Sequence, residues 1–155
     1  MKKENVLISA CFCGVACRYD GKENKLELSE KLKETFHLIP ICPEVMGGLS
    51  IPRLPAEIVD GKIINTAGED VSTFFRKGAE QSLQIAKEKE ISFAILKARS
   101  PSCGFGFIYD GSFSKTLIEG NGWTADLLFR HGIPIFTEID LDNLLKEDYN
   151  ELTIE

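Results

Sequence analysis

Histidine is almost missing from this chain: His37 and His131 are its two copies among 155 residues. A cysteine-rich structural zinc site, which wants a second Cys or His pair close in sequence, therefore has little to draw on. Both histidines also sit where a structural role suffices, His37 ahead of an apolar run and His131 at a helix end, where a cation favours the dipole. An excess of positive charge is missing too. The formal net charge is −6, with Lys and Arg scattered rather than striped, which argues against a nucleic-acid polymer as partner. No apolar stretch approaches a membrane span, and the run after Met1-Lys-Lys-Glu-Asn5 is too short for the core of a signal peptide. Internal repeats and low-complexity linkers are absent. The expectation is a cytoplasmic protein with no membrane association, in which thiols stay reduced and act as ligands or nucleophiles rather than crosslinks. Residues 1–145 read as a single domain and 146–155 as an acidic C-terminal tail.

What the chain does have is five cysteines, and three of them follow short apolar runs. Val6-Leu-Ile-Ser-Ala leads into Cys11, His37-Leu-Ile-Pro-Ile into Cys42, and Phe93-Ala-Ile-Leu into the loop carrying Cys103. Strand-like and helix-like patterns alternate along the chain, the signature of a parallel sheet with crossover helices. Strands are predicted over residues 5–10, 37–42, 92–97 and 133–138. Helices are predicted from near Lys25, with Leu26, Leu28, Leu32 and Phe36 on one face, over 71–89 with Asp70 as cap, and over 123–131. Hairpins are predicted over 58–64, around Asp60-Gly61, and over 107–113, around Asp110-Gly111. The fold class is α/β: a three-layer sandwich with a mostly parallel, Rossmann-like sheet and small β-hairpin excursions.

If the three cysteine-bearing runs are neighbouring parallel strands, their sulfurs meet at one sheet edge, where open α/β sheets keep their binding crevice. Three thiolates make a metal or cluster site with a coordination position left open, which suits chemistry. A competing reading groups Cys11, Cys13 and Cys17, whose close spacing could wrap one ion by itself. The residues beside Cys42 and Cys103 favour reactivity: Glu44 stands two residues past Cys42, and Ser100 and Ser102 precede Cys103. Thiol, carboxylate and hydroxyl together suit coordination plus proton transfer.

These same segments resemble the thiouracil desulfidases of the TudS type. The resemblance is carried by Ser9-Ala-Cys-Phe-Cys-Gly-Val-Ala-Cys-Arg-Tyr-Asp-Gly21, Cys42-Pro-Glu-Val-Met-Gly-Gly-Leu49 with Pro52-Arg53, and Leu96-Lys-Ala-Arg-Ser-Pro-Ser-Cys-Gly104. Gly68-Glu-Asp-Val71 and Gly120-Asn-Gly-Trp-Thr-Ala125 extend it through nearly the whole chain. It implies a 4Fe-4S cluster on Cys11, Cys42 and Cys103, with one iron open to the sulfur of a thiolated pyrimidine. It also implies catalytic roles for Glu44 and Ser100. The chain departs from the family at Phe12-Cys13, where aliphatic residues are usual; in an extended segment Cys13 would share a face with Cys11 and could close the open iron.

Weaker candidates surround this core. Arg18 and Asp20 could hydrogen-bond a base edge, Arg53 lies in a stiff proline-flanked loop, and Gly120 and Gly122 could offer backbone N–H groups ahead of a helix. With Ser102 they form the candidate substrate-binding set. The implied reaction is hydrolysis of 2- or 4-thiouracil to uracil and hydrogen sulfide. Two rivals use the same thiols: a non-catalytic iron-sulfur or zinc protein, and a sulfur-transfer enzyme carrying a persulfide on Cys13 or Cys17.

Overall fold

In the computed structural model of this chain, residues 3–13, 19–20 and 29–141 are described. Along it run β1 (Asn5–Ser9), a 3₁₀ turn (Ala10–Cys13), α1 (Ser29–Thr35), β2 (His37–Ile41), α2 (Pro43–Met46), β3 (Ala56–Val59) and β4 (Lys62–Asn65). There follow α3 (Ser72–Glu88), β5 (Phe93–Leu96), β6 (Phe107–Tyr109), β7 (Leu117–Glu119), α4 (Trp123–Arg130) and β8 (Ile135–Thr137). Leu26, Leu28 and the acidic tail lie outside the described residues.

Four parallel strands in the order β2-β1-β5-β8 make the central sheet, as the alternating pattern predicts. β1 sits inside it, and Val6, Leu7 and Ile8 are all fully buried, as a parallel strand covered on both faces requires. Strand alternation divides the core. Leu7, Ile41, Ala94 and Leu96 face Ala86 and Leu128 of α3 and α4, while Val6, Ile8 and Ile95 pack with Leu32 and Phe36 on the opposite face. Helical layers on both faces give the predicted three-layer arrangement. No helix among the described residues is long and apolar enough to cross a membrane.

The first hairpin is as predicted: Ile58 pairs Ile63 and Val59 pairs Lys62, with Asp60 (φ 49°) and Gly61 (φ 77°) in the left-handed turn between them. The second differs. β6 returns through β7 only at Leu117, because the intervening loop is shaped by long-range contacts rather than by a tight Asp110-Gly111 turn. Glu57 Oε1 accepts the N–H groups of Gly111 (3.0 Å) and Phe113 (3.2 Å), and Asp110 N–H closes the loop on Thr116 O at 2.9 Å. The last strand is also shorter than predicted. Thr137 begins a helical turn at 138–141, its N–H and hydroxyl donating to Asp140 Oδ2 at 2.8 and 3.3 Å, the return half of a capping box. At α3, the Asp70 carboxylate accepts Ser72 N–H at 2.9 Å, and the Ser72 hydrogen bonds hold its pKa below the ordinary value.

One close approach fixes α2 against α3. A Cβ on Gly47 would fall on the carbonyl oxygen of Phe74, and one on Gly78 would fall on that of Pro43. The two backbones therefore touch where any side chain would force them apart, which seats the segment bearing Cys42 and Glu44. We expect Gly78→Ala to lower the unfolding free energy by about 2–3 kcal/mol, against a negligible change for the exposed Lys77→Ala. Urea denaturation of the two variants checks this; equal midpoints would mean that α2 is not seated by this contact.

Candidate functional site

The sheet order brings the three cysteine-bearing strand ends side by side. Cys11 lies in the 3₁₀ turn after β1, Cys42 at the N-cap position of α2 directly after β2, and Cys103 in the turn after β5. Since β1 lies between β2 and β5 and all run parallel, the three residues leave the same edge. Cys11 and Cys103 are buried and Cys42 is half-buried; none of the described cysteines is disulfide-bonded. Both histidines lie towards the opposite edge, His37 opening β2 with Nδ1 2.8 Å from Asn5 Oδ1, and His131 closing α4 with Nδ1 2.9 Å from Leu127 O.

Electrostatics tie Cys103 to its neighbours. Burial pushes its thiol up to about 12, and the charges of Glu44 and Cys42 push in the same direction, while hydrogen bonds with the Ser9 and Ser102 side chains oppose them. A thiol so shifted holds its proton until a metal or cluster displaces it. Among the described residues, no three His, Cys, Asp or Glu side chains are grouped to hold a single metal ion. The three cysteines at the strand ends offer a purely thiolate donor set, the set that iron-sulfur clusters take, so the residues present fit one.

The Cys103 turn is built by hydroxyls and by the start of α4. Ser100 Oγ accepts the N–H groups of Cys103 (2.7 Å) and Ser102 (3.2 Å). The carbonyls of Gly104, Pro101 and Ser102 in turn receive the N–H groups of Gly122 (2.7 Å), Trp123 (2.9 Å) and Thr124 (2.9 Å). Gly122 is required there, because a Cβ would stand 2.5 Å from Ser102 C. Gly120 N–H is likewise engaged, by Gly106 O at 3.1 Å. Gly122 therefore shapes the cysteine turn, Gly120 packs against Ile108, and the N–H groups of both are bonded within the chain. Ser102 is 1 % exposed; its hydroxyl lies 2.8 Å from Thr124 Oγ1 and 3.9 Å from Cys103 Sγ, beside the sulfur.

Glu44, in the first turn of α2, is half-buried and pairs with Arg53, Oε2 to Nη2 at 3.4 Å. Arg53 N–H reaches Tyr19 O at 2.6 Å, which brings the Tyr19–Asp20 segment beside the same corner. Arg18 and Cys17 lie outside the described residues. Cys13 lies near Cys11, whose charge acts on it, and packs against the same core cluster. It lines a groove of about 730 Å³ with Lys33, Phe36, His37 and Pro40, and burial raises its pKa with Lys33 partly offsetting.

Sequence reasoning gave no role to Ser9 or Thr124. Ser9 is buried at the end of β1, where its Oγ accepts Lys97 N–H at 2.9 Å and its side chain hydrogen-bonds Cys103. A polar residue ending an otherwise apolar strand was the available signal. In metal-free protein we expect Cys103 to alkylate more slowly than Cys42 near neutral pH, since it is both buried and held as the thiol. Mass-spectrometric mapping of iodoacetamide labelling measures this, and equal rates at the two sites would contradict it.

Comparison with known proteins agrees with this geometry. The family model described as 2-thiouracil desulfurase matches residues 6–140. The uncharacterized protein YbbK of Bacillus subtilis (strain 168) is 42% identical over 150 residues, covering 90% of this chain and 99% of that protein. A solved structure, that of the [4Fe-4S]-dependent thiouracil desulfidase TudS, matches with a TM-score of 0.86 at 40% identity, covering 94% of this chain and 97% of the other. With the matched region containing every cysteine of the sheet edge, this chain belongs to the 2-thiouracil desulfurase family.

Proposed function

We propose that this protein is an iron-sulfur-dependent thiouracil desulfidase, hydrolysing 2- or 4-thiouracil to uracil and hydrogen sulfide with no net redox change. The observation that carries the reading is the gathering of Cys11, Cys42 and Cys103 at one sheet edge, with the Glu44 carboxylate close enough for its charge to act on Cys103. Those three cysteines would hold a 4Fe-4S cluster like the one named for the structural neighbour. Bound there with one iron free of protein ligands, such a cluster supplies Lewis acidity towards the thiocarbonyl sulfur.

The chain's own groups do the rest. Glu44 takes a proton from water as the water oxygen bonds to the thiocarbonyl carbon. The C–S bond breaks, the sulfur departs with the two hydrogens of the water, and the carbon keeps the oxygen as the uracil carbonyl. Ser100 Oγ spends lone pairs on two backbone N–H groups, so its own proton is available to orient the ring or the departing sulfur. Arg18 and Asp20, flanking Tyr19, are assigned to the polar edge of the base. Residues 1–145 act as one domain, a reading supported by a sheet that draws strands from Asn5 through Thr137, with 146–155 as a tail apart from the chemistry. The reaction belongs in a reducing compartment, the cytoplasm, where three thiolates survive.

Anaerobic reconstitution with iron and sulfide, followed by addition of 2-thiouracil or 4-thiouracil without reductant, tests the reading. We expect sulfide release by the wild type and loss of iron in Cys11→Ala, Cys42→Ala and Cys103→Ala. Glu44→Gln is expected to keep its iron while kcat falls by roughly 10²- to 10⁴-fold. A protein that takes zinc but no iron, or cysteine variants that keep full activity, would refute the assignment.

A further inference from the structure

The sequence offers Arg53 as a donor to substrate, but its surroundings assign it other work. Its side chain is 6% exposed, against 23% for Glu44, so the guanidinium is the more deeply buried of the pair. Nη2 is 3.4 Å from Glu44 Oε2, Nη1 donates to Ser50 O at 3.3 Å, and the backbone N–H is held by Tyr19 O at 2.6 Å. The residue is thus fixed at both its root and its tip.

Glu44 needs such a partner. Its carboxylate is half-buried, in the first turn of a helix that starts at the cysteine edge. A partly buried carboxylate without a partner would turn to water. The backbone of α2 is already seated by the Gly47 and Gly78 contacts with α3, so the remaining freedom of Glu44 lies in its side chain. The geometry points to Arg53 as a positioning residue for Glu44: its guanidinium holds the carboxylate towards the cysteine edge and makes no contact with substrate. This rests on the desulfidase reading and deepens its proton-transfer step.

Four cluster-loaded variants test it: Arg53→Ala, Arg53→Lys, Glu44→Gln and the double variant of Arg53→Ala with Glu44→Gln. Arg53→Ala is expected to lower kcat for sulfide release roughly 10- to 100-fold with KM and iron content unchanged, the cost of a misplaced catalytic group. Added guanidinium should restore part of the loss, and Arg53→Lys should keep more activity than Arg53→Ala. The double variant should be no slower than Glu44→Gln alone, because a residue that acts only through Glu44 has nothing left to position. A raised KM at intact kcat would place the guanidinium on substrate and overturn the proposal. So would additive losses in the double variant, or iron lost from Arg53→Ala and Arg53→Lys alike. If Arg53→Ala fails to fold, Arg53→Gln takes its place in each comparison. If the wild type releases no sulfide, the functional reading fails by itself. Crystal structures of wild type and Arg53→Ala then decide: a Glu44 side chain turned to solvent only in the variant upholds the positioning role, and one unmoved overturns it.

Discussion

Everything at the candidate site depends on the register of β1 between two parallel neighbours. Ser9 is level with Ile41 of β2, and Ile8 is level with Ile95 of β5, so the three chains leave the sheet at nearly one height. Register is strongly held because the faces are unlike in their partners. Leu7 belongs to the core under α3 and α4, whereas Val6 and Ile8 belong to the core under α1. A slip of one residue would send each to the wrong side and would carry Cys11 away from the level of Cys42. The same hydrophobic burial that stabilises the sheet therefore aligns thiols that are far apart in sequence.

Burial alone would leave Cys103 poorly placed, since it lies seven residues beyond the last residue of β5. Its position comes instead from polar saturation of the turn. Ser100 Oγ satisfies two N–H groups, and the first N–H groups of α4, which a helix leaves without internal partners, are taken up by carbonyls of the same turn. Ser9 and Ser102 then add hydroxyls beside the sulfur. Strand register sets two of the cysteines and a hydrogen-bonded turn sets the third, so their placement rests on two different kinds of force.

The strands were legible because each is a short apolar run, and the β3-β4 hairpin because Asp60-Gly61 carries its own turn chemistry. What escaped reading was settled over long distances in the chain. The loop before β7 follows the Glu57 carboxylate, a partner more than fifty residues away. The glycines at 120 and 122 looked like ligand donors because nothing local reveals that the carbonyls of Gly106 and Gly104 take their N–H groups. The contact of Gly47 and Gly78 with α3 and α2 backbone leaves no trace in side-chain patterning at all. Arg53 was visible as a cation in a stiff proline-flanked loop, but whether it meets substrate or Glu44 is a question of tertiary placement.

Cys13 shows how local backbone form decides a chemical outcome. Had residues 10–13 continued the strand, side chains two apart would share a face, and a fourth thiolate would stand beside Cys11. The segment is a 3₁₀ turn instead. At three residues per turn, side chains two apart diverge by about 120°. Cys13 accordingly reaches the groove with Lys33 and His37 while staying near enough to Cys11 for that charge to act on it, and Cys11 packs in the core beside Phe12. The form of one short turn thus sets the direction from which a further thiol stands beside the sheet edge.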